Sequence, residues 1–191
     1  MTPIVLLKEL KQFIEDNTKD IILPVRPINN KIIPEPSGKG KKNAGEQPKR
    51  RAAEVHLMRL PNKDAETNRI PYILLQFLTG ADEQKSGEAS DSECKIRIVI
   101  ATYSEDGSAG SMDLLNVITR IRVALLKTGV IGDKFVLRKP LEYAVYPDET
   151  GTYYLGEMIT IWGLPPVEQE VCPWEDMKGG FYDEKENNRH G

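Results

Sequence analysis

The side chains with the most chemical potential in this chain are few, and their spacing does not assemble a reaction. There are two histidines and two cysteines in 191 residues. His56 sits between Val55 and Leu57 in an alternating stretch that turns it toward a polar face, and His190 is the penultimate residue. Neither neighbours a cysteine or serine in a way that would define a nucleophile and its base. Cys94 and Cys172 form neither a CxxC pair nor a metal spacing, which reads as two reduced structural thiols. Gly38-Lys39-Gly40-Lys41-Lys42 resembles a phosphate loop in composition alone, because a P-loop needs the full GxxxxGK[ST] spacing between a buried strand and a helix. The acidic residues Asp82-Glu83, Asp91, Glu93 and Asp148-Glu149 show neither EF-hand spacing nor a paired-carboxylate arrangement. The expectation is a protein with no catalytic residues, no metal and no cofactor, that is, not an enzyme.

One charged cluster is a candidate for contact. Lys39, Lys41, Lys42, Lys49, Arg50 and Arg51 make residues 28–53 basic, while Pro34, Pro36, Gly38, Gly40, Gly45 and Pro48 break regular structure there. Such an arm can touch phosphate or an acidic partner surface. It carries no interleaved aromatics for base stacking, so a solvated loop is the plainer reading and loose phosphate contact the alternative. The whole chain has a net charge of −3, which excludes a globally basic nucleic-acid binder. No apolar run approaches the roughly 20 residues that span a bilayer, and the N-terminus lacks a signal-peptide core. A soluble intracellular protein without membrane partners is the expectation.

The elements that would position these residues centre on residues 94–129. Residues 95–103 (KIRIVIATY) are rich in β-branched side chains and apolar on both faces by Val99–Ile100–Ala101, as a central strand requires. A turn-rich loop, residues 104–110, follows. Ser111 is the expected N-cap of the next helix, with Asp113 in its first turn. Leu114, Ile118, Ile121 and Leu125 form its apolar stripe, flanked by Leu115, Val117, Ala124 and Leu126; Asn116, Arg120 and Lys127 fall opposite. Gly129 marks its end.

Upstream, Thr2-Pro3 starts a helix in which Leu6, Leu7, Leu10, Phe13 and Ile14 repeat at helical spacing. Residues 21–27 (IILPVRP) read as an extended segment at or outside a sheet edge. Two strands are expected at residues 53–60 and 71–78, forming an antiparallel meander with 95–103. Residues 81–92 form a second, acidic insert. Downstream, residues 135–146 and 153–162 form a hairpin across Pro147-Asp148-Glu149-Thr150-Gly151, with an edge or bulge at Pro140. In its second strand Leu155, Ile159 and Ile161 share one face, interrupted by Glu157, and Met158, Thr160 and Trp162 share the other. The fold class is therefore α+β: an antiparallel sheet of four or more strands with two helices packed on it, long polar inserts and an extended tail. One domain is expected over residues 1–166 and an acidic tail over 167–191, with Trp174, Phe181 and Tyr182 as candidate subunit contacts.

The order of a capped helix, a meander with inserts, the strand–loop–helix KIRIVIATYSEDGSAGSMDLLNVITRIRVALLKTG, a hairpin and a Trp-Gly-Leu-Pro-Pro exit resembles the tail terminator proteins of tailed bacteriophages and related prophage and tailocin particles. The resemblance covers residues 2–166. It implies a structural protein of the virion tail, assembled in the host bacterial cytoplasm. In that family the subunits form a homo-oligomeric ring, commonly a hexamer, at the head-proximal end of the tail. The ring stops growth of the tail tube protein and meets the head–tail connector, and DNA passes through its lumen without sequence recognition. The alternative is a nucleic-acid-associated accessory protein that uses the basic arm.

Overall fold

The computed structural model describes residues 2–25, 49–61, 70–84, 90–147 and 152–167. Two helices lie on one face of a six-stranded mixed sheet, an α+β architecture, and a separate two-stranded ribbon stands beside it. The elements in chain order are α1 (Pro3–Thr18), β1 (Leu23–Pro24), β2 (Arg50–Arg51), β3 (Glu54–Leu57), β4 (Tyr72–Glu83), β5 (Asp91–Tyr103), α2 (Gly107–Thr128), β6 (Val130–Ile131), β7 (Phe135–Val145) and β8 (Tyr153–Leu164). The sheet order is β3-β4-β5-β8-β7-β6, so β5 and β8 are its centre.

The helices form where the apolar spacing demands. In α1, Leu6, Leu7, Leu10 and Ile14 are buried, with Pro3 pre-set for the first turn. In α2, Leu114, Val117, Ile118, Ile121 and Leu125 face the sheet, while Arg120 and Lys127 are exposed. Leu115 and Leu126, at the margins of the stripe, stay largely exposed, so the buried stripe is narrower than its apolar composition. Gly129 closes the helix at φ 69°, a conformation that costs a residue without a Cβ little.

The start of α2 corrects the sequence expectation. The N-cap is Asp106, whose carboxylate accepts from the backbone N–H groups of Ser108 (2.9 Å) and Ala109 (3.2 Å). Ser111 lies inside the helix, where its hydroxyl donates back to the carbonyls of Gly107 and Ser108. Asp is as good an N-cap as Ser, and Asp106 satisfies two orphan donors from one carboxylate oxygen, so the helix begins earlier. Asp113 is thus beyond the first turn.

The sheet carries a second correction. β4, β5, β8 and β7 pair antiparallel, as expected, but β3 pairs parallel with β4, through Val55↔Ile73 and Leu57↔Leu75. An antiparallel meander needs only a tight turn. The 14 residues 58–71 are enough for the crossover that a parallel pair requires. The acidic stretch 81–92 is also less of an insert than its composition suggests. Ala81, Asp82 and Glu83 still pair with Glu93, Ser92 and Asp91, so both its ends are strand. Of residues 21–27, the described part, 21–25, contributes β1, outside the main sheet and paired with Arg50–Arg51 of β2. The β7–β8 hairpin is as read, with the register shift between Arg138 and Glu142 that spans Pro140.

The core sits between the helices and alternate residues of the central strands: Ile96, Ile98 and Ile100 of β5 and Tyr154, Met158, Thr160 and Trp162 of β8. Trp162, fully buried, donates its indole N–H to the Thr160 hydroxyl (2.9 Å), which in turn donates to the Ile96 carbonyl (3.1 Å). The one polar pair in this row is therefore satisfied internally. Among the described residues, no helix is long and apolar enough to cross a membrane.

Candidate interaction surface

The face of the sheet opposite the helices has no layer packed on it among the described elements. Strand pairing places Tyr72, Ala101 and Leu155 in one row across this face. Leu74, Val99, Glu157 and Ala144 form the next, and Gln76, Arg97, Ile159 and Glu142 the one after. The face is thus graded, apolar and aromatic toward the start of β8 and charged toward its end.

At the charged end the side chains hold one another. Arg97 Nε lies 2.5 Å from Glu157 Oε2, a cross-strand pair between β5 and β8. The hydroxyl of Tyr146 and the Arg97 guanidinium hold the Glu157 carboxyl below the usual glutamate value; burial opposes them. Bonding to Glu157 raises the Tyr146 phenol in turn, with some help from burial. Farther along, Arg138 binds both carboxylate oxygens of Asp91, one at 2.8 Å, and reaches Glu93 at 3.4 Å. Gly163 makes this possible: a Cβ there would lie 2.9 Å from Arg138 Nε, so the guanidinium crosses the strand where a side chain is missing. The acidic end of residues 81–92 is anchored by this fork.

At the apolar end the face runs into a cleft of about 370 Å³ lined by Tyr72, Tyr146, Tyr153, Tyr154, Leu155 and Pro147, together with Ile70, Ala101 and Thr102. No lining residue is charged. Burial raises the Tyr72 phenol above its ordinary value. Tyr153 also tilts against Tyr103, with ring centroids 5.7 Å apart, so one wall is braced by a second aromatic. The floor beneath Tyr154 depends on Gly110 of α2: a Cβ there would fall 2.1 Å from the ring, so only glycine lets helix and tyrosine approach this closely. The Thr102 hydroxyl at the same end is buried without a hydrogen-bond partner among the described residues.

The candidate residues of the basic arm divide. Lys49 and Arg50 are exposed. Arg51 is half-buried, pairs with Glu54 and donates to the Pro71 carbonyl (3.4 Å). Its first task is to tie β2 to the start of β3, so it drops out as a freely presented phosphate contact. Lys39, Lys41 and Lys42 lie outside the described residues, as do Trp174, Phe181 and Tyr182, Cys172 and His190. His56 projects onto the open face beside Glu54, 3.6 Å away. Cys94 is buried, and burial together with Glu93 pushes its thiol up to about 11, a setting opposite to that of a reactive cysteine. Among the described residues, no group of three or more histidine, cysteine or acidic side chains is placed to hold a metal.

The tyrosine cleft is what the linear reading missed. Its signal was present as Tyr72, Tyr146, Tyr153 and Tyr154, but they sit on β4, just past the end of β7 and on β8, and converge only through strand pairing. Comparison with protein-family models and with curated protein sequences found no match for this chain.

Proposed function

We propose that this protein is a structural assembly subunit that caps the head-proximal end of a phage-type tail tube. The subunits close into a ring, end growth of the tube protein and offer a surface to the head connector. The observation that carries this reading is the uncovered sheet face, graded from aromatic to charged, on a fold whose order of elements resembles tail terminators. A small domain with no described element over one face of its sheet, where Leu155 is exposed beside an aromatic cleft, has a surface for another macromolecule. A graded face also suits a heterologous contact, in which one end of a subunit meets the other end of the next and closure follows when the rotation fits. The ring supplies its own cooperativity, so each contact can be weak in dilute solution.

The test is to polymerise tail tube protein with and without this chain and image the tubes by negative stain. Shorter tubes with extra density at one end are expected. Tubes of unchanged length with bare ends would count against the cap. The alternative, loose nucleic-acid contact through the basic arm, rests on fewer free cations now that Arg51 is engaged. A duplex mobility shift that depends on salt and disappears when Lys39, Lys41, Lys42, Lys49 and Arg50 are neutralised would favour it.

A further inference from the structure

We infer that the tyrosine cleft receives the Pro173-Trp174 step of a second copy of this chain, so that each subunit hands its C-terminal segment to its neighbour. The need for a second copy rests on the assembly reading above; the choice of cleft and occupant rests on chemistry and reach. The cleft is uncharged and walled by Tyr72, Tyr146 and Tyr153, with Leu155 and Pro147. Such a lining selects an apolar, aromatic or proline-bearing segment and offers nothing to a charged ligand. Proline and tryptophan rings stack well on tyrosine, and proline enters an aromatic groove with little entropy left to lose.

The chain continues for 24 residues past Val167, and within them stands Pro173-Trp174. Reach decides whose cleft it fills. The segment leaves the sheet after Leu164, at the opposite end of β8 from Leu155 and nine residues away, roughly 30 Å at about 3.3 Å per residue. Pro165 and Pro166 favour an extended course beyond the strand, carrying Val167 about 10 Å farther at about 3.1 Å per residue. The seven residues from Val167 to Trp174 span at most about 25 Å, short of the roughly 40 Å back to the chain's own cleft. A neighbour placed head to tail has its cleft near the departing segment instead. Val167, 72% exposed, lies at the start of this segment, already turned away from the core.

The experiment titrates a fluorescent peptide of residues 164–178 with the full chain carrying Trp174→Ala and reads anisotropy. Saturable binding is expected, weakened roughly tenfold or more by Leu155→Asp or Tyr153→Ala in the receptor or by Trp174→Ala in the peptide, and unchanged by Lys127→Ala. Leu155 is 40% exposed, so that variant should melt like the parent, and circular dichroism checks this for each receptor. The unsubstituted chain should bind the peptide as well as the Trp174→Ala chain does. Absence of saturable binding, or affinity indifferent to the cleft substitutions, overturns the assignment. So does much weaker binding by the unsubstituted chain at a concentration where sedimentation shows it monomeric, which would show the cleft filled by its own tail. Any of these results would leave the cap itself to be judged by the tube-length assay.

Discussion

The two faces of the same sheet obey different rules, and β5 shows it residue by residue. Ile96, Ile98 and Ile100 point under the helices and are fully buried. Lys95, Arg97 and Tyr103, on alternate positions of the open side, keep contact with solvent, while Val99 and Ala101 between them are buried, Val99 opposite a buried Leu74. The covered face holds the fold together through apolar burial, at roughly 25 cal/mol per Å². The open face buries a smaller apolar patch, Leu74, Val99 and Ala101, and gives the rest of its area to charge pairs, tyrosines and a cleft. Substitutions at exposed positions of the open face should therefore leave the covered face folded, and the two kinds of substitution should separate.

The largest effect belongs to the covered side. Ile121→Asp, in the centre of the α2 stripe, buries an unpaired carboxylate and should cost about 4 kcal/mol or more, enough to abolish cooperative unfolding. Arg120→Ala, one residue along, removes only an exposed pair with Asp20 (3.0 Å) and should cost below about 1 kcal/mol in a urea melt. Equal damage from both would mean that α2 is buried all round.

Gly110→Ala joins the two faces, since Tyr154 lies in the core row and also lines the cleft. Alanine gains about 1 kcal/mol of helix propensity, but its Cβ would meet the Tyr154 ring at 2.1 Å. Overpacking of that kind costs about 1–3 kcal/mol, so a net loss of up to about 2 kcal/mol is expected by denaturant titration. A stabilised variant would show that the ring moves aside freely.

On the open face, Glu157→Gln should cost less than about 1 kcal/mol, because both Glu157 and Arg97 are partly exposed. Its signature is pH. The Glu157 carboxyl titrates below its usual 4.5 in the folded protein, so its contribution is present above that value and is lost as pH falls through the depressed one. The melting-temperature gap between parent and variant should therefore be full near neutral pH and shrink below about pH 4. A gap that widens in acid would reverse the sign. The smallest effect is at Cys94: in a Cys172→Ser chain, its buried, raised thiol should label only after denaturation.

How much of this was readable in advance follows the same division. The helix stripes and the β7–β8 hairpin declare themselves locally, through spacing at 3.6 and at 2 and through a turn string, and Pro140 announces its own bulge. Partner choice does not declare itself. Val55 and Leu57 alternate equally well in a parallel or an antiparallel pair, and a 14-residue connection allows either direction, so spacing alone does not choose the parallel pair that forms. Ala81, Asp82, Glu83, Asp91 and Ser92 have low strand propensity, yet the ladder and the Arg138 fork hold them in the sheet. Arg51 looked like one more cation of a basic arm, and only its position opposite Leu23 and beside Glu54 makes it structural. The cleft was hidden for the same reason, since four tyrosines spread over residues 72–154 have no sequence spacing to recognise.

The most direct test of the proposed cap is to delete this chain from the phage-type particle to which the proposal assigns it and to image the tails by electron microscopy. A cap that ends tube growth and joins the head predicts overlong or headless tails, restored by the parent chain. Tails of normal length with heads attached would contradict it.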